Sequence, residues 1–310
     1  MARNTPPVQK PQASPEAALL RINKALADAG VCSRRAADEL VAAGAVTVNG
    51  QPVTSPGLRI DPATDVVELR GQRVAVPVPG ARAHTLVMLN KPTGVVTTAS
   101  DPQGRTTVLD LVGDAFGPAR LYPVGRLDYF SQGLLLLTDH GELANRLTHP
   151  RWHLPKVYEV LVRGTVPPAT LALFSRGMTL ADGQALAPAP TRVLGVASRA
   201  TSLEMTLTQG VNRQIRRMCE QAGLTILRLT RVALGPLRLG ELPEGQARAL
   251  TPGEAVALLH AVGLGPAPEQ APPAGAPGAG KPRPPAPAKA PARTTKGQPG
   301  GAARGPRRRG

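Results

Sequence analysis

The sequence predicts an α+β fold in two folded parts, on the strength of three observations. Helical periodicity and an Asn-Gly pair mark the first part, strand-like alternation recurs through the second, and segments rich in Pro, Gly and Ala surround them. The predicted boundaries are a disordered segment 1–16, a small domain 17–76, a linker 77–84, a larger domain 85–264 with a mixed, largely antiparallel sheet, and a disordered basic tail 265–310.

The small domain is predicted to consist of two helices and a hairpin. Apolar residues recur on one helical face from residue 20 to residue 29, and Gly30 is placed to end that helix in the left-handed conformation. Ser33 can cap a second helix, which ends at Gly44. Alternating valines then lead to Asn49-Gly50, the strongest short-range signal for a hairpin.

The larger domain opens with an apolar strand at 86–89. Four leucines at 134–137 indicate a buried strand, and residues 203–207 alternate strictly between apolar and polar. On the strand that begins KVYEV, Lys156 and Tyr158 share one face. A helix is predicted from an Asn212 cap to a terminating Gly223.

The charge of the chain favours a phosphate-rich partner. Lys and Arg outnumber Asp and Glu by 37 to 21, which gives a formal charge of +16 and a pI near 11.1. Nine basic residues against one acid between 265 and 310 supply +8, so residues 1–264 carry the other +8. The predicted folded part is therefore basic in its own right, as expected of a nucleic-acid-binding protein.

Several classes of protein are disfavoured. Cys32 and Cys219 are too few for a disulfide framework or a paired thiolate metal site. No apolar run approaches the roughly 18 to 20 residues of a membrane span, and the N-terminus lacks the apolar centre of a signal peptide. We therefore expect a cytoplasmic protein without a membrane or metal partner.

The N-terminal domain carries a candidate RNA-binding surface. Arg34 and Arg35 at a helix start can bind phosphate, although two arginines alone are more typical of a solvated surface. The segment RINKALADAGVCSRRAADELVAAGAVTVNGQPV, residues 21–53, closely resembles the αL-type RNA-binding module first known from a ribosomal small-subunit protein. The resemblance implies that Arg21, Lys24, Arg34 and Arg35 lie near the RNA backbone, where contacts position a protein without reading sequence.

Three segments of the larger domain carry candidate chemistry: YPVGRLDYFSQGLLLLTDHG at 122–141, KVYEVLVRG at 156–164 and GVNRQIRRM at 210–218. Alone, Asp128 beside a glycine-containing turn is more often a cap or turn residue, and Arg213, Arg216 and Arg217 alone indicate a solvated or RNA-facing patch. In this order and behind the N-terminal module, however, the three segments closely resemble the RsuA/RluB family of ribosomal RNA pseudouridine synthases.

The resemblance covers about residues 20–260 and implies a pseudouridine synthase that needs no cofactor. It implies that Asp128 is the catalytic aspartate, that Tyr158 packs against the target base and that Arg216 pairs with Asp128. Ile215 would help to wall the uracil pocket.

The same resemblance places further residues near the RNA. Lys91 belongs to the loop LNKPTGVVTT, which is implied to lie beside the active cleft. Lys91 and Arg213 are therefore expected to contact RNA, and Arg126 is a candidate for contacting the flipped nucleotide or filling its vacated place.

The chain departs from the family's pattern directly after Asp128. Tyr129 and Phe130 precede Ser131, where the family usually has polar residues and then a threonine. Because serine keeps the hydroxyl, we expect the backbone of the turn to keep its role. The departure affects instead how this turn contacts RNA and which nucleotides surround the target uridine.

The residue types fit the implied chemistry. Pseudouridine formation breaks the bond from N1 to C1′, rotates the uracil and rejoins it through C5, so one carboxylate can suffice. An ionised aspartate can attack C1′ or the base, or remove the 2′ proton so that a glycal forms, and the sequence does not choose among these. A neighbouring arginine favours the charged carboxylate by its charge and by bidentate hydrogen bonds. The target base must leave its stack, which calls for a platform such as Tyr158.

The substrate and the rival functions are open to test. GELANRLTHP and GVNRQIRRM look more like large-subunit members of the family, which favours 23S rRNA or a large-subunit precursor over 16S rRNA. Separately, we expect the protein to act as a monomer. A non-catalytic ribosome assembly or RNA-binding factor is the alternative from another class, and the intact trio of Asp128, Tyr158 and Arg216 argues against it. Hydrolysis of an N-glycosidic bond would need an activated water and would release free uracil.

Overall fold

A computed structural model describes residues 19–78 and 83–265, and all of these residues belong to one compact unit. The predicted segment 1–16, the middle of the predicted linker and, apart from Gly265, the predicted tail lie outside the described residues. The described ends of the linker, 77–78 and 83–84, contain neither helix nor strand.

The described residues form seven α-helices and one 3₁₀ turn: α1 (Ile22–Asp28), α2 (Arg34–Ala42), α3 (Val108–Val112), α4 (Gly141–Thr148), α5 (Pro168–Arg176), α6 (Gln214–Gln221), α7 (Pro252–Ala261) and the 3₁₀ turn Pro150–Trp152. Local capping explains where several begin. The Ser33 hydroxyl caps α2, and capping boxes of Thr107 with Asp110 and of Thr251 with Glu254 start α3 and α7. Within the described parts of the chain, none of these helices has both the length and the apolar character needed to cross a membrane.

Residues 19–78 combine α1 and α2 with six short strands: β1 (Leu20–Arg21), β2 (Val46–Val48), β3 (Gln51–Pro52), β4 (Arg59–Ile60), β5 (Val67–Leu69) and β6 (Gln72–Val74). Strands β3, β2, β5 and β6 form one sheet in that order, and β1 pairs with β4. Asn49 and Gly50 have φ of 52° and 77°, as the predicted tight hairpin requires. Helix, helix and hairpin follow one another as predicted, except that Leu20 pairs in β1 and the first helix starts at Ile22.

The rest of the described chain contains eleven strands: β7 (Leu86–Lys91), β8 (Tyr122–Pro123), β9 (Gln132–Thr138), β10 (Lys156–Arg163), β11 (Met178–Thr179), β12 (Ala185–Leu186), β13 (Thr191–Ala197), β14 (Ala200–Leu207), β15 (Ile226–Leu234), β16 (Leu237–Arg238) and β17 (Ala247–Ala249). Nine of them form a sheet in the order β13-β14-β10-β15-β9-β7-β17, with β16 beside β15 and β8 beside β9. The β15–β9 pair is parallel and the other pairs are antiparallel, which confirms the predicted mixed, largely antiparallel sheet.

The centre of this sheet is buried on both faces. Leu134 and Leu136 of β9 pack into a core with α4 and α7, while Leu135 and Leu137 pack into a core with α3. Because successive side chains of a strand point to opposite faces, four buried leucines in a row require cover on both sides. A further core lies between α6 and strands β10 and β14.

The parallel pair of β9 and β15 depends on a glycine. Gly133 has a φ of +104°, and a Cβ at this position would lie 2.3 Å from the backbone oxygen of Arg231. A side chain would therefore push the two strands apart. Since Gln132 is in register with Thr230, the turn that precedes β9 is held beside β15. That turn carries Asp128.

The structure corrects the predicted start of α6. The N-cap is Arg213 rather than Asn212, with a left-handed φ of 51° and no side-chain cap. The helix does end before a left-handed Gly223, as predicted. A non-glycine residue in this conformation is uncommon and carries a small energetic cost, which tertiary contacts must offset.

Candidate active site

A cavity of about 470 Å³ lies where β10, β15 and the start of α6 meet the turn between β8 and β9. Six residues that were predicted to bind RNA or to act on it belong to its lining: Arg126, Asp128, Tyr158, Arg213, Ile215 and Arg216. They come from the turn, from β10 and from the α6 region, which are far apart in the sequence. The fold therefore brings these six predicted site residues together.

Asp128 faces two guanidinium groups and has a side chain that is 30% exposed. Arg216 Nε lies 3.5 Å from Asp128 Oδ2, and Arg213 Nη1 lies 4.0 Å from the same oxygen. The expected bidentate hydrogen bonding between Arg216 and Asp128 is not formed. Arg216 Nε has no hydrogen-bond partner among the described residues, while Nη2 donates to the Phe130 backbone oxygen at 2.8 Å and to Ser131 Oγ at 3.0 Å. Arg216 thus holds the turn as well as facing the carboxylate.

Lys91 lies beneath this turn and is fully buried. Its Nζ donates to the backbone oxygens of Pro92, Asp128 and Ser131 at 2.9, 3.2 and 2.9 Å. Burial lowers the pKa of Lys91 to about 8, although the negative charges of Asp128 and Glu244 oppose the shift. The predicted contact between Lys91 and RNA does not fit this position, because a side chain without exposed surface cannot reach RNA. Lys91 instead ties the loop after β7 to the turn that carries Asp128.

Tyr158 enters the cavity from β10 and is half-buried. Its partner in register on β15 is Arg231, and its ring packs against the core below α6 and the core beside α3. Lys156 lies two residues earlier on the same face of the strand and also lines the cavity. Burial and then the charge of Arg231 lower the pKa of Lys156. This wall of the cavity therefore combines one aromatic ring with two cations.

Arg231 is a cavity residue that sequence reasoning missed. It is 3% exposed, its Nε donates to the Leu134 backbone oxygen at 2.7 Å, and its Nη2 has no hydrogen-bond partner among the described residues. A signal was present in the sequence. Buried positions alternate through Leu229, Arg231 and Ala233, so the arginine occupies an inward position of an otherwise apolar strand, where a cation is rare.

The remaining predicted residues differ in exposure. Ile215 is 3% exposed and supplies apolar wall at the start of α6, while Arg126 and Arg213 are exposed. The four residues predicted to contact RNA from the N-terminal part do not belong to the lining of this cavity: Arg21, Lys24, Arg34 and Arg35. The three arginines are exposed, and Lys24 pairs with Asp28.

The cavity offers a carboxylate, an aromatic ring and cations for chemistry. Within residues 19–78 and 83–265, no three His, Cys, Asp or Glu side chains are grouped so that they could hold a metal ion. Cys219 packs in the core beneath α6, and burial raises the pKa of its thiol to about 12. A thiol with that pKa stays protonated at neutral pH and is a poor nucleophile. Asp128 is therefore the strongest candidate for the reacting group.

Comparisons with known proteins show which families the two parts of the chain resemble. The RNA pseudouridylate synthase family matches residues 85–221, and the S4 domain family matches residues 20–67. An uncharacterized RNA pseudouridine synthase of Aquifex aeolicus is 44% identical over 246 residues, which cover 79% of this chain and 96% of that protein. The ribosomal large subunit pseudouridine synthase B of Bacillus subtilis is 40% identical over 236 residues, which cover 76% and 93%.

A solved structure is similar as well. The crystal structure of a pseudouridylate synthase matches with a TM-score of 0.55 at 28% identity, and the match covers 77% of this chain and 99% of that one. The order of an S4 domain followed by a synthase domain confirms the resemblance that the sequence motifs indicated. The chain therefore belongs to the RNA pseudouridine synthase family of isomerases.

Proposed function

We propose that this enzyme converts a specific uridine of ribosomal RNA to pseudouridine, with 23S rRNA as the favoured substrate and Asp128 as the catalytic residue. The observation that carries the proposal is the position of Asp128, which lines one cavity with Tyr158 and Ile215 and faces the guanidinium groups of Arg213 and Arg216. The name of the Bacillus subtilis relative, a large-subunit enzyme, supports the choice of 23S rRNA. A ribosomal RNA substrate would place the enzyme in the cytoplasm.

The proposed reaction balances without a cofactor. The bond from N1 to C1′ breaks, a new bond forms from C5 to C1′, and the proton on C5 is lost while N1 gains one. Asp128 would attack C1′ or the base, or remove the 2′ proton, and Tyr158 and Ile215 would hold the uracil while it turns. The turn is tied down by Lys91 and Arg216, so the carboxylate is preorganised before the RNA arrives.

Binding of the RNA is proposed to use two regions. The domain at 17–76 would hold the phosphate backbone through Arg21, Lys24, Arg34 and Arg35, and the domain at 85–264 would receive the flipped uridine. Arg126, exposed at the lining of the cavity, would contact that nucleotide or take its place in the helix. Arg213 would contact the RNA beside the cavity.

The proposal is tested on ribosomal RNA from a strain that lacks the gene. The RNA is incubated with purified enzyme, and pseudouridine is mapped by primer extension after carbodiimide treatment. We expect one new stop in 23S rRNA. A new stop confined to 16S rRNA would overturn the choice of substrate. No new stop in either RNA would favour an RNA-binding or assembly factor, and free uracil in the supernatant would favour a hydrolase.

The role of Asp128 is tested in the same assay. Asp128→Asn should lower the single-turnover rate at least about 10³-fold, as expected when a reacting carboxylate is lost, while RNA affinity changes little because backbone contacts dominate binding. Asp114→Asn is the matched control, since Asp114 is an exposed aspartate outside the cavity lining, and should leave the rate unchanged. Appreciable turnover by Asp128→Asn would refute the assignment.

A further inference from the structure

Two exposed aromatic side chains follow Asp128 directly. Tyr129 is 42% exposed and Phe130 is 67% exposed. The whole chain has only three phenylalanines, three tyrosines and one tryptophan. Among the described residues, Tyr129 and Phe130 are the two most exposed of these. Their rings pack edge to face with centroids 5.1 Å apart. A scarce residue type is therefore concentrated at the surface, beside the candidate catalytic group.

The backbone beneath this aromatic pair is fixed on two sides. The backbone oxygen of Tyr129 accepts a hydrogen bond from the Gly94 amide at 2.9 Å, and the backbone oxygen of Phe130 accepts one from Arg216 Nη2 at 2.8 Å. Arg216 also faces Asp128, so the position of the aromatic pair is tied to that of the carboxylate. The pair is thus held at a set place while most of the Phe130 ring remains open to solvent.

The charges around the pair favour an RNA base as its occupant. Arg126 precedes Asp128 in the turn and is exposed, and Arg213, with a side chain 53% exposed, lies 4.0 Å from Asp128. These arginines lie around Asp128, directly before the pair in the chain, and Arg105 interacts electrostatically with Tyr129. Arginines in this neighbourhood can bind a phosphate backbone that presents a base, and every base has a π-face that can stack on an aromatic ring. An apolar protein segment would gain nothing from these cations.

We propose that Tyr129 and Phe130 form a stacking platform for a nucleobase adjacent to the uridine that enters the cavity. The inference rests on the proposed function and adds a specificity-determining contact to it. When the target uridine leaves its stack, its neighbour loses a stacking partner, and Phe130 replaces that partner. The platform thereby lowers the cost of flipping and favours sites whose neighbouring base stacks well.

The experiment is a double-mutant cycle between protein and RNA. Phe130→Ala and the wild type are compared on the stem-loop that contains the modified uridine, first intact and then with an abasic nucleotide on the 5′ or the 3′ side of the target. On intact RNA we expect kcat/KM of Phe130→Ala to fall about tenfold, the size of one lost base stack. On the RNA that is abasic at the contacted position, the two proteins should agree within about twofold, since the partner of the ring has already been removed.

Matched variants separate stacking from structure. Phe130→Trp keeps an aromatic face and should restore most of the activity, whereas a purely structural role would not be rescued by a larger ring. Val196→Ala, which truncates an exposed apolar side chain on β13 outside the cavity lining, should have no effect. An unchanged kcat/KM for Phe130→Ala, or an equal loss on intact and both abasic RNAs, would overturn the platform.

A second readout separates this inference from the proposed function. Affinity for a short single-stranded oligouridylate does not require turnover, and it should fall in Phe130→Ala but not in Val196→Ala. If the wild type formed no pseudouridine while this difference in affinity persisted, the proposed function would fail and the platform would stand. If the wild type were active but no difference appeared in either assay, only the platform would fail.

Discussion

The cations of the N-terminal part and those of the large sheet occupy opposite environments. Arg34 and Arg35 lie at the start of α2 with their side chains exposed. Lys91 and Arg231, on β7 and β15, are 0% and 3% exposed. The exposed arginines are accessible to the phosphates of an RNA, whereas Lys91 and Arg231 donate hydrogen bonds to backbone oxygens of the protein itself.

Positive charge thus has two uses in this RNA-modifying enzyme. An exposed guanidinium at a helix start attracts the RNA backbone and loses strength as salt rises. A buried cation is costly unless its donors are satisfied. Lys91 meets this condition by donating to three backbone oxygens and fixes the turn that carries Asp128, whereas Arg231 donates to β9 and keeps one unpaired nitrogen at the cavity. The exposed cations should therefore control affinity, and the buried ones should control the rate of the chemical step.

The strongest test of the comparison is Lys91→Met. Methionine fills a similar volume but leaves the backbone oxygens of Pro92, Asp128 and Ser131 without their common donor. Without these hydrogen bonds the turn that carries Asp128 should move, and the single-turnover rate should fall about 10²-fold, because a small displacement of a reacting group slows the reaction strongly. The free energy of unfolding should fall by about 1–3 kcal/mol, the cost of an unsatisfied buried polar group. RNA affinity should be unchanged, and a loss of affinity without a loss of rate would reverse the assignment of Lys91.

The interior cations show what the sequence alone could not reveal. Ser33 and Asn49-Gly50 were interpreted correctly because capping and tight turns depend on a few neighbouring residues. Lys91 was misplaced because its acceptors at 128 and 131 lie some forty residues away, and local sequence does not record their approach. Asp128 and Arg216 are also far apart in the sequence, so their proximity was predicted only through the resemblance to a family and not from local sequence.

Fine geometry at the site was also beyond sequence reasoning. The distribution of Arg216 donors between Phe130 and Ser131 could not be deduced, since the hydrogen bonds depend on how the turn packs against α6. The left-handed Arg213 at the start of α6 was mistaken for a helical residue, because no residue type marks that conformation outside glycine, asparagine and aspartate. The residue types thus indicated the chemistry of the site, whereas tertiary packing determined which cations face Asp128 and which hold its turn in place.

A second test compares neighbouring arginines of α6. Arg216→Gln removes the charge that faces Asp128 and the donors to Phe130 and Ser131, whereas Arg217 pairs with Asp182 and is not part of the cavity lining. We expect Arg216→Gln to lower kcat roughly 10- to 100-fold, in line with the loss of charge-assisted hydrogen bonds. Arg217→Gln should change it less than about twofold. Equal effects of the two substitutions in single-turnover assays would mean that proximity to Asp128 is irrelevant.

A third test uses pH, because the pKa of Lys91 is lowered to about 8 by burial. Above this pH the neutral amine has two N–H groups for three backbone acceptors, so the turn should loosen and the rate should decline severalfold by about pH 9. Stability should respond in the opposite direction. Between about pH 8 and the ordinary pKa of 10.5, the unfolded chain holds a proton that the folded chain has released, so this group's contribution to the free energy of unfolding rises with pH.

Lys91→Met provides the reference for both effects, since uridine and every other titrating group are shared. Single-turnover rates are measured from pH 7 to pH 9.5, and urea unfolding is measured at both ends of this range. Relative to the variant, the rate of the wild type should fall with pH and its free energy of unfolding should rise. Identical pH profiles for the two proteins would show that Lys91 does not titrate in this range or that its charge is not what holds the turn.

The smallest expected effect belongs to the exposed cations. Arg34→Ala should weaken RNA binding only about two- to fivefold at low salt, the size of a single solvent-exposed charge contact, and should leave the single-turnover rate at saturating enzyme unchanged. The slope of log affinity against log salt should flatten by about 0.7–0.9, as one fewer counterion is released. Arg192→Ala is the control, because Arg192 is also exposed but already pairs with Glu204 on β14. Should Arg34→Ala slow the chemical step while leaving the salt dependence intact, the division between surface cations that bind and interior cations that position would collapse.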